Sequence, residues 1–132
     1  MTSPERPTGE RTMRERMLAG ELYLADDPVL AEEQSRAARL LDRFNQTGID
    51  GAERHGLLLA LLGQLGEGSE IKPPLRCDYG YRIRVGARTF VNYGLVALDV
   101  ASIAIGDDVE IGPNVQLLTP THPIDPDTRR AK

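Results

Sequence analysis

The chain has no tryptophan, one cysteine and two histidines, and aromatic residues make up only 5% of its 132 positions. A core without large rings has to be built from Leu, Ile, Val and Ala in many thin layers. Cys77 is the single cysteine, which excludes an intrachain disulfide. No apolar run approaches the ~20 residues that a membrane-spanning helix needs. The opening MTSPERPTGERTMRERM carries charge with no apolar stretch behind it, unlike a signal peptide. A basic excess is also missing: 16 Lys and Arg stand against 20 Asp and Glu, for a net charge of −4. The clustered basic face that nucleic acid requires is therefore not expected, and the closing Arg129-Arg130-x-Lys132 reads as a solvated tail. These absences predict a soluble, cytoplasmic protein of one domain with at most a small appendage.

What is present changes character along the chain. Residues 1–12 are rich in Pro, Thr, Glu and Arg and read as a flexible leader. A helical cap is predicted over 13–66. Met13 and Met17, with Leu22, fall near helical spacing, and AGELY closes that segment. Asp27 then offers an N-cap and Pro28 suits the first helical position, while Glu32 and Glu33 suit the positive end of the helix. Leu30, Ala37, Leu41 and Phe44 share one face of this second helix. Asp50 with Glu53 resembles a capping box opening a third, leucine-rich helix.

At GEGSEIKPP the helical period ends, and 67–132 follow another rule. Val85, Val91, Ala97 and Ile103 recur every six residues. Ile105, Ile111 and Leu117 do the same, each followed four residues on by Val109, Val115 and Thr121. Turn formers lie between them, Gly106-Asp107-Asp108 and Gly112-Pro113-Asn114. A short strand and a tight corner, repeated, make a parallel β-helix with flat faces, and Gly or Asn takes corners of positive φ. Ile-Gly-x-x-Val-x in tandem is more specific than the alternation of a β-sandwich. The phase slips by two between Ala97 and Ile105, so the turn near 99–102 is predicted to be irregular.

The stretches MLAGELY, ARLLDRFN, IKPPLRCDYGYRIRVG, VNYGLVALD, IAIGDDVEIGPNVQL and TPTHPID, in this order, resemble the maltose and galactoside O-acetyltransferases. These are hexapeptide-repeat acyltransferases, with nodulation acetyltransferases as close relatives, and the resemblance covers roughly 13–126. It implies a mainly β protein, a left-handed parallel β-helix preceded by a small helical cap. It also implies a homotrimer with active sites between subunits, and acetyl transfer from acetyl-CoA to a sugar hydroxyl without a metal. His122 matches the family's general base. Asn92, Asp78 and Asp99 match polar positions around the acceptor, and Phe90 an aromatic one lining its cleft.

The residues themselves leave some of these roles open. Histidine suits a base that takes a hydroxyl proton and returns it to a leaving thiolate. Pro120 and Pro123 keep TPTHP extended, yet a solvated loop histidine would read the same way. Asn92 also suits a corner, and Asp78 also suits a turn cap at Gly80. Tyr79 and Tyr81 alternate, so one is expected to face outward. Cys77 follows the spacing of Ile71 and Ile83 and reads as inert packing. His55 reads as a surface or interface residue, and two histidines are too few for the three-histidine zinc site of hexapeptide-fold carbonic anhydrases.

The pattern departs from the family at two places. Gln34 stands where the second helix usually carries an acceptor-contacting arginine, with Arg36 as a candidate substitute. Family members continue for several hexads past THPID, where most of the acetyl-CoA groove lies. The expectation is thus a β-helix incomplete at its C-terminal end, with unknown cofactor-binding residues and weak or absent turnover. The alternatives are an inactive trimer-forming or partner-binding module, and an acyltransferase with a non-sugar or lipid-oligosaccharide acceptor.

Overall fold

The computed structural model describes residues 11–19, 27–121 and 124–130. Three helices come first: α1 (Met13–Leu18), α2 (Pro28–Phe44) and α3 (Gly51–Leu61). Each starts on a side-chain cap. Thr12 and Glu15 form a reciprocal capping box, Asp27 accepts from Val29 N and Leu30 N, and Asp50 accepts from Glu53 N. The reverse half of the expected box at α3 is replaced by an ion pair, since the Glu53 carboxylate receives the Arg43 guanidinium. Glu32 and Glu33 lie beyond the first turn of α2; Glu32 pairs with Arg39 and Glu33 with Arg14. The buried face of α2 is Leu30, Ala37, Leu41 and Phe44, as the period predicts. Leu22 and most of AGELY lie outside the described residues, as does most of the expected leader.

Nine short strands follow among the described residues: β1 (Gln64–Leu65), β2 (Glu70–Ile71), β3 (Leu75–Cys77), β4 (Ile83–Val85), β5 (Phe90–Val91), β6 (Leu95–Leu98), β7 (Ile103–Ile105), β8 (Glu110–Ile111) and β9 (Gln116–Leu118). They form three parallel three-stranded sheets in the orders β1-β4-β7, β2-β5-β8 and β3-β6-β9. This is a three-sided parallel β-helix. Leu65 pairs with Val85 and Val85 with Ile105, so a coil takes 20 residues, two more than three hexads. The two extra residues enter at the corner after β3 and again after β6. The slip read near 99–102 is therefore a feature of each coil. The β-helix also begins earlier than the Gly-Pro boundary suggests, because Leu65 already occupies the inward hexad position one coil before Val85. A further short helix, α4 (Pro126–Arg130), has no buried residue and was not expected from the hexads.

Inward positions stack into layers. Ile71, Leu75, Ile83, Val85, Val91, Leu95, Ala97, Ile103 and Ile105 join Phe44, Leu41, Leu58, Leu61 and Leu62 of the helical part in one core. Full burial of one such aliphatic side chain contributes about 1.5–3 kcal/mol. The helices thus close the first coil with the same apolar layer that the coils use on one another. Asn45, just after α2, fixes the docking: its amide nitrogen donates to Leu75 O and its amide oxygen accepts from Leu75 N, both at 2.9 Å.

Corner geometry explains the residues between strands. Arg88, Asp108 and Asn114 adopt positive φ, as do Gly68 and Gly94. A Cβ at Gly86 would come within 2.6 Å of Gly106 C, so coils at this corner stack closely enough to require glycine.

Candidate active site

The longer corner, 78–82, faces the helices and carries most of the polar architecture. Asp99, at the matching level of the next coil, is 0% exposed. Its Oδ1 accepts from Asp78 N (3.1 Å) and Tyr79 N (2.9 Å), and its Oδ2 accepts from Arg82 N (3.2 Å). A corner two residues too long for its hexad turns several amides inward, and one buried carboxylate receives three of them.

The loop then reaches the helices through its aromatic rings. Tyr79 is buried, and its hydroxyl accepts from Gln34 Nε2 at 3.3 Å. The Tyr81 hydroxyl donates to Glu33 Oε2 (2.7 Å) and accepts from Arg14 Nε (3.1 Å), while Arg14 also pairs with Glu33 (3.0 Å). Burial raises the Tyr81 hydroxyl above its ordinary value. The two rings pack edge to face. Strand alternation does not govern them, because β3 ends at Cys77 and both lie in the inserted loop; both turn toward the helical cap. The Arg82 guanidinium lies 5.4 Å from the Tyr81 ring centroid, and its buried Nε has no hydrogen-bond partner among the described residues.

Beside this loop an open cleft of about 330 Å³ lies between α2 and β3. Gln34, Ala38, Leu41 and Asp42 line it from the helix, and Arg76, Cys77 and Asp78 from the β-helix. Burial, and then the charge of Asp99, raise the Asp78 carboxyl above the usual carboxylate range. Burial likewise pushes the Cys77 thiol up, helped by Asp99 and Asp78, so it is a packing group and not a nucleophile. Gln34 faces this cleft. Arg36 does not replace it, because two residues on along a helix point elsewhere, and its guanidinium donates to Ala60 O of α3 at 2.8 Å.

Of the site residues read from the sequence, the structure brings Asp78 and Asp99 together at one corner. Phe90 and Asn92 precede strand β6 whereas Asp99 follows it, so the two pairs lie at opposite ends of one strand. Phe90 is half-buried and points outward between Glu70 and Glu110, its register partners. Asn92 uses its side-chain oxygen on Tyr93 N at 2.8 Å, as a corner residue does. His55 is exposed on α3. His122 and Pro123 lie outside the described residues; Thr119, shortly before them, accepts from Ala101 N and donates to Leu98 O through its hydroxyl. Sequence reasoning missed the roles of Asp42 and Arg76 in the cleft. Asp42 lies eight residues past Gln34, a little over two helical turns, and that spacing was the available signal.

Residues 16–66 match the maltose acetyltransferase hexapeptide capping motif. Nodulation protein L of Rhizobium leguminosarum bv. viciae is 50% identical over 122 residues, and that of Rhizobium meliloti 47% over the same length. The matches cover 92% of this chain and 64% and 67% of those proteins. Among solved structures, a maltose O-acetyltransferase from Clostridium difficile 630 superposes with a TM-score of 0.89 at 40% identity, over 92% of this chain and 65% of that one. The chain belongs to the maltose/galactoside O-acetyltransferase family. Another solved member, the hexapeptide-repeat acetyltransferase of Vibrio cholerae O1 biovar eltor complexed with acetyl coenzyme A, superposes with a TM-score of 0.82 at 40% identity over 92% of this chain and 66% of that one. This family member therefore spans about two thirds of the length of the relatives it matches.

Proposed function

We propose that the protein is an acetyl-CoA-dependent O-acetyltransferase acting on a sugar hydroxyl, built on a left-handed β-helix and working as a homotrimer. The observation that carries the reading is the polar cleft at the inserted corner, where Gln34, Asp42, Arg76 and Asp78 converge between the helical cap and the first coil. A sugar ring presents several hydroxyls, and a cleft with two carboxylates, an amide and a guanidinium over an aliphatic wall can exchange hydrogen bonds with them.

In this reading acetyl-CoA supplies an activated thioester. His122 removes the proton of the acceptor hydroxyl as it attacks the thioester carbonyl, and then returns that proton to the departing thiolate. The products are an acetyl ester and free CoA. Asp78 and Gln34 hold the acceptor from one corner, and Phe90 and Asn92 from the other end of β6. A site between subunits fits this division, because one subunit's second corner would meet its neighbour's third.

The test is direct. Protein with acetyl-CoA and a panel of maltose, glucose and galactosides should yield an acetyl ester by mass spectrometry. His122→Ala should lower the rate about 100-fold or more, in line with loss of a general base. A panel without any ester, with none restored on adding a C-terminal stretch of hexads, would overturn the reading. A second reading, a different acceptor, is favoured by Gln34, whose amide engages Tyr79 instead of offering a guanidinium. Ester formed only on a lipid-linked oligosaccharide would support it.

A further inference from the structure

We propose that Asp99 is a positioning residue, a buried carboxylate clamp that sets loop 78–82 and through it the cleft face of Asp78, and not a group that touches the acceptor. Both oxygens are already engaged by backbone amides of the loop, and no part of the residue reaches the surface. A sugar in the cleft meets Asp78, one hydrogen bond removed from it.

The matching position one coil on shows what the carboxylate adds. Thr119 stands 20 residues after Asp99 and binds the backbone of the equivalent corner through its hydroxyl. A hydroxyl accepts from Ala101 N and donates to Leu98 O, which suffices where a single amide turns inward. Loop 78–82 turns three amides inward, and only a two-oxygen acceptor without a proton donor can take them all. The clamped loop is also the one that ties the helices to the coil, through Tyr79 to Gln34 and Tyr81 to Glu33 and Arg14. One buried group thereby registers the helical wall of the cleft against its β wall.

Asp99→Asn separates this from general support of the fold. It keeps the shape and one carbonyl oxygen, but sets an amide donor against a backbone donor. The side chain is expected to keep Asp78 N and Tyr79 N on its oxygen and to lose Arg82 N. In amide NMR spectra of the full chain, the Arg82 resonance should shift the most and its hydrogen exchange should quicken at least tenfold. The Asp78 carboxyl, which faces Asp42 from α2 and Arg76 and Cys77 from β3 as well as Asp99, should titrate lower in this variant, because one of the two causes that raise it is gone. Unchanged Arg82 exchange, or an unchanged Asp78 midpoint, would overturn the clamp. If Asp99→Asn does not fold, the wild-type protein still decides: amides 78, 79 and 82 must exchange slowly, and fast exchange refutes the proposal.

The kinetic consequence rests on the acetyltransferase reading. There the acceptor KM should rise about tenfold in Asp99→Asn with the acetyl-CoA KM unchanged, whereas a loss of fold would move both. A wild-type protein that transfers no acetyl group, with or without an added C-terminal stretch of hexads, would refute that reading, while the amide and Asp78 measurements would still judge the clamp.

Discussion

At the first corner of each coil, Ser69 and Thr89 stand 20 residues apart and do the same work. Ser69 Oγ donates to Gly86 O and accepts from Thr89 N; Thr89 Oγ1 donates to Gly106 O and accepts from Val109 N. Arg88 and Asp108 share a positive φ there and pair across the coils at 2.7 Å. At the third corner the matching residues are Asp99 and Thr119, and they hold different sets of backbone groups. The first corner repeats because its task is only to pass the chain from one sheet to the next. The third departs from the repeat, carries two more residues, and faces the helices. Its irregularity makes room for polar groups that a tight hexad corner has no length to hold.

Four substitutions would break or sharpen this contrast, the first being the most severe. Gly86→Val puts a side chain against the backbone of Gly106 and Asp107, which cannot retreat without separating two coils. It is expected to cost about 3 kcal/mol in urea unfolding, the upper end for overpacking. Thr89→Val keeps the shape but leaves Gly106 O and Val109 N unpaired, with an expected cost of about 2 kcal/mol. If either were as harmless as a surface change, the first corner would not be the structural one.

Asp78→Asn should act in the other direction. The folded carboxyl titrates above its unfolded value, so its contribution to stability is full below about pH 4 and is lost as pH rises through the raised value. Removing the charge should therefore raise the thermal midpoint at pH 7, with the gain fading as pH falls toward 4, while acetyl transfer declines. A gain in stability with a loss of activity is the mark of a functional carboxylate. Arg88→Ala should change the midpoint least, within experimental error, because both members of its pair are exposed.

Much of the fold is legible in the sequence. The four buried residues of α2, the caps at Asp27 and Asp50, and the inward series Val85, Val91, Ala97 and Ile103 follow from local rules of spacing and capping. Those rules act over a few residues and leave a clear trace. The site was less legible. The slip of two residues located the irregular corner, but not that Asp99 closes it, because a buried carboxylate and a solvent-facing one look alike in a string of letters. Alternation that continues past Cys77 puts Tyr79 and Tyr81 on a strand, and only pairing between coils shows that the strand stops there. Gln34, Asp42 and Arg76 meet in the cleft through the docking of α2 on β3, a tertiary event fixed by Asn45 and Leu75, which stand 30 residues apart in sequence.

The division of labour between the corners can be tested by titrating the protein with maltose and following backbone amide resonances. Shifts are expected at 78–82, with Gln34 and Asp42 of the cleft and with Phe90 and Asn92 at the far end of β6, and none at 86–89 or 106–109. Shifts centred on 86–89, or no shift at 78–82 with an acceptor the protein acetylates, would contradict it.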